Sequence, residues 1–332
     1  MQIRIMLIVF ICQILFLIYV DKTGYMCSIF RIRIPIPYQK ERSVIKKRNE
    51  DDIEVLNSIP SWEWPEDADS IILEVLTDSS ADESDRVLAA GLAGDYVVIN
   101  DNLADALVTI LENDQETDTL RSTAAISLGP ALQDTDIHGF DECTEPDEIT
   151  ISENMFSRIR KTFKTLYENT DIHKEVRRRI LEASVRAPED WHKEAVKTAY
   201  SSGDEDWKLT AVFAMRWIRG FDDQILESLE NSNPEIHHQA VCAAGDQELS
   251  DAWTHVSDLI LSETTEKDLL LAAIDAIAGI NPHDAGMVLV GPAESEDEDI
   301  AVAAMEAMRM AEGISENVLM DEPDEDEQYE DG

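Results

Sequence analysis

DESDRVLAAGLAG, residues 82–94, is a helix-length segment whose spacing of small and apolar residues recurs along the chain. It begins with an acidic residue, has a base at Arg86, and has small or apolar residues three, four and seven positions after the base. These offsets lie on one face of an α-helix, and alanine there lets a neighbouring helix approach closely. The position of the base defines a basic column, occupied in successive repeats by Arg86, Arg121, Arg177, Lys208, His237, Leu270 and Ala301.

A second apolar segment with helical periodicity precedes each of these segments, so the sequence predicts helix pairs. Successive column members are 29 to 35 residues apart, except for 56 residues between Arg121 and Arg177, where an insertion lies. Periods of this length are typical of solenoids, in which each pair buries its apolar face only against its neighbours. Side-chain oxygens four positions before the column predict helix N-caps at Asp82, Thr117, Asp204, Asn233 and Asp297.

The repeat resembles HEAT repeats, particularly the short type found in phycobilin lyase subunits and bacterial scaffold proteins. DESDRVLAAGLAG and TLRSTAAISLG, residues 119–129, carry the basic residue, paired alanines and closing glycine of that family. NPEIHHQAVCAAG, residues 233–245, keeps the same frame with His237 in the basic position. The resemblance covers roughly residues 65–311. It implies an all-α, right-handed α-solenoid of about seven HEAT-like helix pairs that binds a partner.

The predicted organisation has an apolar start, a repeat body and an acidic end. Residues 1–20 are an apolar segment, and residues 21–64 are a linker that changes from basic to acidic. The repeat domain spans residues 65–311 and contains an acidic insertion loop at residues 133–151. Residues 312–332 combine high charge with few apolar side chains, so we expect a disordered acidic tail.

Residues 5–20 form an apolar run interrupted only by Gln13. As a helix this run is roughly 24 Å long, less than the ~30 Å hydrocarbon core of a bilayer. Two interpretations stay open. The run is either a membrane anchor, oriented by the basic residues after it, or the product of a start codon placed too far upstream, with Met26 as the alternative start. We expect a cytoplasmic protein that meets a membrane only through this run.

The net charge of −43 is distributed unevenly. Residues 51–154 hold 27 acidic and two basic side chains, and residues 221–332 hold 30 and two, whereas residues 155–220 hold 14 basic and 10 acidic side chains. Negative charge repels nucleic acid and anionic membranes, so we expect neither as a general partner. The four cysteines are far apart and include no CxxC pair, which favours free thiols in a reducing compartment.

Common catalytic motifs are absent from the sequence, including GxGxxG, the GK dipeptide of phosphate loops, GxSxG and HExxH. No histidine is followed by glutamate, so the His-Glu dyads of HEAT-repeat di-iron hydroxylases are missing too. These absences predict a scaffold that is not an enzyme and needs no cofactor. The alternative is a subunit similar to phycobilin lyases, which binds and attaches a tetrapyrrole, because the repeat of those proteins carries no catalytic signature.

Two stretches contain the residue types of metal sites. His237, His238 and Cys242 lie within six positions, but only His238 and Cys242 are one helical turn apart, and zinc usually takes four ligands. Residues 134–145, DTDIHGFDECTE, match a calcium loop in several oxygen ligands, a glycine and a closing carboxylate, but Pro146 interrupts the helix that should follow. Structural roles are the simpler interpretation of both stretches, and we predict no metal site.

The expected partner is another protein, bound on the face of the second helices that points away from the core. Offsets two, five and nine from the basic column lie near 180° from the core positions, since each residue turns the helix by ~100°. Arginine and aromatic residues side by side are typical of interface hot spots. The alternative is that the aromatic residues pack against a neighbouring helix and the arginines pair with acids. The predicted binding residues are Arg179, Arg186, Phe213, Trp217 and Cys242.

Overall fold

The computed structural model describes residues 51–140 and 150–320. The described residues form sixteen α-helices and two short 3₁₀ turns, and they contain no strand, which confirms the all-α prediction. The chain divides after Ile218 into two compact units. We call them the N-terminal unit, ending at Ile218, and the C-terminal unit, beginning at Arg219.

The N-terminal unit contains four helix pairs and two additional helices. Its helices are α1 (Asp51–Ser58), α2 (Ala68–Thr77), α3 (Glu83–Leu92), α4 (Asp101–Glu112), α5 (Asp118–Ser127), α6 (Gly129–His138), α7 (Glu153–Glu168), α8 (Lys174–Ser184), α9 (Asp190–Tyr200) and α10 (Glu205–Ala214). The pairs are α2–α3, α4–α5, α7–α8 and α9–α10, and their second helices pack side by side in chain order. Helix α1 packs on the first pair, and α6, which lies in the insertion, packs against α8.

The C-terminal unit contains three helix pairs. Its helices are α11 (Asp222–Leu229), α12 (Pro234–Asp246), α13 (Trp253–Leu261), α14 (Lys267–Ile280), α15 (Pro282–Ala293) and α16 (Glu298–Met320). The pairs are α11–α12, α13–α14 and α15–α16, and α14 packs between α12 and α16. The two units together therefore hold the seven predicted pairs. Helix α16 continues past residue 312, where the sequence predicts the start of the tail.

Several predictions concern segments outside the described residues. These are the apolar run at residues 5–20, most of the linker before residue 51, the second half of the calcium-like stretch, and the tail beyond residue 320. Over residues 51–140 and 150–320, no helix is both long enough and apolar enough to cross a membrane.

Side-chain caps start the second helices largely as predicted. Thr117, Asp204, Asn233 and Asp297 each accept a hydrogen bond from a backbone N–H in the first turn of the helix that follows. Asp82 stands at the N-cap of α3, but its side chain makes no capping hydrogen bond. A cap satisfies backbone donors that have no partner within the helix, so these residues fix where the helices begin.

The basic column has a defined structural role in the N-terminal unit. Each arginine uses its Nε to donate to the backbone carbonyl ten residues earlier, in the last turn of the first helix of its own pair. The three bonds join Arg86 to Leu76 at 3.3 Å, Arg121 to Leu111 at 3.0 Å, and Arg177 to Tyr167 at 2.9 Å. The guanidinium thus satisfies a carbonyl near the helix C-terminus, where a positive charge also complements the helix dipole.

A lysine joins successive second helices once in each unit. The lysine is the first residue of one second helix, and its Nζ contacts the carboxylates at the N-cap and second position of the next. We call this arrangement the lysine clasp. Its members are Lys174 with Asp204 at 3.0 Å and Asp206 at 2.7 Å, and Lys267 with Asp297 at 2.8 Å and Asp299 at 2.6 Å.

The closing glycine of the repeat lies where the next second helix approaches. A Cβ added at Gly245 would lie 2.6 Å from the Cα of Ala276 on α14. A Cβ at Gly129 would lie 2.9 Å from Cδ of Arg186 and 3.3 Å from the Cα of Ala183 on α8. Glycine is therefore required for the close packing of these helices.

Candidate functional site

The structure buries much of the surface that the sequence predicts to be exposed. Phe213 is 1% exposed, Arg186 4% and Cys242 6%, while Arg179 and Trp217 are half-buried. The predicted exposure is therefore wrong for Phe213, Arg186 and Cys242. The physical reason is that neighbours cover more than one face of a second helix: α8 packs between α5 and α10 as well as against α7, and α12 packs against both α11 and α14.

Arg179 is engaged by carboxylates of its own helix. Its Nη1 donates to Glu182 Oε2 at 2.8 Å, and its Nε donates to Glu175 Oε1 at 2.9 Å. Glu182 is fully buried and also accepts a hydrogen bond from Thr210 Oγ1 on α10 at 2.7 Å, while Arg178 Nε donates to that hydroxyl at 2.9 Å. This network pairs the buried carboxylate and joins α8 to α10.

Arg186 follows the end of α8 and lacks such a partner. Its Nη1 donates to the amide oxygen of Gln133 on α6 at 3.0 Å, and its Nε has no hydrogen-bond partner. No carboxylate among residues 51–140 and 150–320 lies within 4 Å of its guanidinium nitrogens. Burial, and secondarily the charge of Arg216, lower the pKa of Arg186 to about 10. The group is still charged near neutral pH.

Trp217 follows α10, and two guanidinium groups contact its ring. Its ring centroid is 5.0 Å from Cζ of Arg186 and 5.2 Å from Cζ of Arg216, both within the range of a cation–π interaction. The ring of Phe213 packs 4.9 Å away, and Arg186 also lies 5.7 Å from the centre of that ring. We call Gln133, Arg186, Phe213, Arg216 and Trp217 the arginine–tryptophan cluster. All five belong to the N-terminal unit.

Tyr96 adds an exposed aromatic side chain near this cluster. Its hydroxyl donates to the carbonyl of Pro130 at 3.1 Å, three residues before Gln133, and the residue is 50% exposed. The phenol also contributes to the electrostatic environment of Arg186.

Sequence reasoning missed two members of the cluster. Arg216 falls one position before Trp217, between the offsets expected to point outward, although the pattern RWIR at residues 216–219 carries a visible signal. Gln133 lies in the insertion, where no repeat frame applies, so only the structure places it beside Arg186.

The histidines of the first metal-like stretch, His237 and His238, make separate contacts in the C-terminal unit. Nε2 of His237 is 2.9 Å from Nε2 of His255 on α13, and Nδ1 of His255 is 3.2 Å from Oε1 of Glu230. Burial, with a smaller contribution from His255, lowers the pKa of His237. Sγ of Cys242 lies 3.9 Å from Nδ1 of His238. In the part of the chain that the structure describes, no three metal-ligating side chains come together.

The calcium-like stretch begins inside a helix. Asp134 and Asp136 belong to α6, and residues two apart on a helix point in nearly opposite directions, unlike ligands converging from a loop. Asp134 instead contacts Nδ1 of His138 at 3.1 Å and accepts a hydrogen bond from Thr150. Residues 141–145 of the calcium-like stretch lie outside the described part of the chain.

No protein-family model matches the sequence, and no curated protein matches it. Solved structures that resemble it include the following three. The structure of human deoxyhypusine hydroxylase in complex with glycerol has 13% identity and a TM-score of 0.35, over 80% of this chain and 97% of that one. YibA of Escherichia coli has 17% identity and a TM-score of 0.40, over 82% and 99%. The complex of CpcE and CpcF of phycocyanin lyase from Nostoc has 15% identity and a TM-score of 0.40, over 76% and 98%.

These proteins correct one prediction, although TM-scores below 0.5 carry no argument about what this chain binds. They include a hydroxylase and a lyase, so a repeat without catalytic motifs does not imply a protein without catalytic activity. The prediction that the chain is not an enzyme is therefore wrong. The fold itself rests on the described helices, which form an all-α array of HEAT-like helix pairs.

Proposed function

We propose that the chain binds a partner protein through the arginine–tryptophan cluster of its N-terminal unit. One observation carries this proposal: Trp217 is partly exposed, and the guanidinium groups of both Arg186 and Arg216 contact its ring. Tryptophan and arginine are the residue types most enriched in interface hot spots.

The packing around Trp217 favours binding because its ring is already positioned. Phe213 supports it from within the unit, and the two guanidinium groups restrict its orientation. An anchor that is ordered before association loses less conformational entropy when the complex forms.

The charge distribution also supports this location. The cluster residues 186, 213, 216 and 217 lie in the stretch 155–220, where basic side chains outnumber acidic ones. The rest of the body is strongly acidic. The acidic body would therefore repel a partner with a negative surface least at this stretch.

The five residues predicted from the sequence take different parts in this proposal. Arg186 and Trp217 contact the partner, and Phe213 positions the tryptophan. Arg179 holds the buried Glu182 in place. Cys242 is buried in the C-terminal unit and is left out of the proposed interface.

The experiment is affinity capture from cells of the source organism with the full chain and the variant Trp217→Ala. Loss of a hot-spot anchor costs about 2 kcal/mol or more, so we expect partner recovery to fall by roughly thirtyfold at limiting concentration. Trp62→Ala is the matched control, because Trp62 is an exposed tryptophan of the same unit outside the cluster. If Trp217→Ala lowers the melting temperature sharply while the folded fraction still captures the same proteins, Trp217 is a packing residue and the proposal fails.

A further inference from the structure

Arg186 carries a buried positive charge that no described carboxylate contacts, and Glu182 acts on it only from a longer distance. The side chain is 4% exposed, its Nε has no hydrogen-bond partner, and no described carboxylate is within 4 Å. Arginine does not escape this cost by losing its proton. With a pKa of about 10, only about one molecule in a thousand is neutral at pH 7.

The contacts that Arg186 does make are with neutral groups. They are the amide oxygen of Gln133 and the rings of Phe213 and Trp217. Such contacts orient a guanidinium and offset part of its desolvation, but they bring no negative charge. The cluster therefore holds the Arg186 cation in place without a carboxylate in contact with it.

Two arginines of α8 provide an internal comparison. Arg178 Nη1 binds Glu175 Oε2 at 2.8 Å, and Arg179 binds both Glu175 and Glu182. Arg178 is as deeply buried as Arg186. Carboxylates thus contact the arginines on the body of α8, whereas none of the described ones lies within 4 Å of Arg186 at its end.

We propose that the arginine–tryptophan cluster is a carboxylate-binding site that receives an acidic side chain from a segment of a partner protein. The inference rests on the proposed function and adds the chemistry of the partner. A guanidinium matches the planar, two-oxygen geometry of a carboxylate, and the ring of Trp217 offers a wall for the methylene groups of a glutamate. Gln133 Oε1, at 3.0 Å from Nη1, occupies the place of one carboxylate oxygen.

The negative charge of the whole chain does not prevent this association. Screening at physiological ionic strength limits the reach of exposed charges to about 8 Å. At Trp217 an approaching carboxylate comes within this distance of the Arg186 guanidinium, whose Cζ lies 5.0 Å from the ring centroid.

Two variants of the full chain test the site. Arg186→Met removes the charge and keeps an apolar side chain of similar length. Gln133→Glu supplies an internal carboxylate next to Arg186, which fills the site from within. The probe is a capped twelve-residue peptide of alternating glutamate and alanine, titrated by calorimetry. The same peptide with glutamine in place of glutamate, and inorganic phosphate alone, serve as the comparison ligands.

We expect the glutamate peptide to bind the unmodified chain at least tenfold more tightly than the glutamine peptide. Both variants should weaken its binding at least tenfold. Equal binding of the two peptides, no binding of either, or displacement of the peptide by equimolar phosphate would overturn the inference, the last because the site would then select a free anion.

Thermal melting separates a binding site from a structural arginine. Removing or pairing an uncompensated buried charge should leave the melting temperature unchanged or higher in Arg186→Met and Gln133→Glu. Arg178→Met is the matched control, and it should melt at a lower temperature because it removes the ion pair with Glu175 and one of the two guanidinium groups near the buried Glu182. A decrease in Arg186→Met as large as in this control would show a structural role and contradict the inference.

Captured partners distinguish this inference from the proposed function. If Trp217→Ala loses the partner and Gln133→Glu keeps it, the interface stands and the carboxylate site is wrong. If Trp217→Ala keeps the partner, both are wrong. If both variants lose the same partner, both are supported.

Discussion

The basic column is occupied differently in the two units of the molecule. In the N-terminal unit, Arg86, Arg121 and Arg177 each bind the end of the preceding helix. In the C-terminal unit the column holds His237, Leu270 and Ala301, and only His237 has a polar side chain. Both units nevertheless form helix pairs whose second helices pack side by side. Packing of small and apolar residues is therefore sufficient for the pair, and the arginine is an additional fastening.

The units also differ in how their ionisable groups respond to pH. Arginine stays protonated over the whole range in which the protein is folded. The C-terminal unit has instead the contact between His237 and His255, and burial lowers the pKa of His237. The N-terminal unit contains one buried histidine, His192, whose pKa burial lowers to about 4. Polar contacts that stabilise the same fold thus differ in how strongly they depend on pH.

The largest expected effect tests the claim that close packing is what the C-terminal unit depends on. Gly245→Ala places a Cβ against the backbone of α14 at 2.6 Å from the Ala276 Cα, so the helices must separate. We expect the free energy of unfolding, measured with denaturant, to fall by about 3 kcal/mol, which is at the upper end of the range for overpacking. Gly291→Ala is the control, since nothing lies within 4 Å of its added Cβ. Equal stability of the two variants would refute the packing argument.

Acidification is expected to have the next largest effect, through His192. Its folded-state pKa of about 4 lies below the ordinary value of 6.5. Between these two pH values the imidazole is protonated in the unfolded chain and neutral in the folded chain. Stability from this group is complete above pH 6.5, decreases as the pH falls towards 4, and decreases no further below that. The loss at pH 5 is about 2 kcal/mol.

The variant His192→Gln should remove this dependence while keeping an acceptor for the N-cap backbone N–H. The measurement is urea unfolding of both proteins between pH 7 and pH 4.5. An unchanged slope in the variant would assign the acid sensitivity to other groups.

The arginine fastening of the N-terminal unit is expected to contribute less than the packing. Arg121→Met removes the donor to the Leu111 carbonyl in a buried position and should cost about 1–2 kcal/mol. Arg158→Met, on the surface of α7, is the control and should change stability by less than about 0.5 kcal/mol. If Arg121→Met left the free energy of unfolding unchanged, the two units would not differ in the contacts that hold their helix pairs together.

The smallest effect is expected for the lysine clasp, because its members are exposed to solvent. Lys174→Met and Lys267→Met should each lower the free energy of unfolding only slightly at low salt, and not measurably at 1 M salt. Since both units have a clasp, the two variants should behave alike. A much larger loss in one unit would show that the clasp is not equivalent in the two.

The sequence predicts the helices well because periodicity and capping are local properties. Thr117, Asp204 and Asn233 cap as expected, since a cap needs only the first turn of its own helix. Exposure is less predictable, as Phe213 shows: a helical wheel places it opposite the core of its own pair, but the neighbouring pair covers that side.

The arginine–tryptophan cluster illustrates the same limit. Arg186 and Trp217 are 31 positions apart and could be associated through the repeat period. Gln133 belongs to the insertion, and His255 meets His237 from a first helix, so neither contact follows from the alignment of second helices. Contacts between unlike elements require the three-dimensional packing.

The lysine clasps recur at a fixed distance along the sequence. Each of the three charged positions of the first clasp recurs 93 residues later in the second. At the same offset, the column residues Arg177 and Lys208 fall on Leu270 and Ala301. The second clasp therefore lies three helix pairs after the first. The two copies share the contact between neighbouring repeats and differ in the contact within a repeat, so the two contacts vary independently along the array.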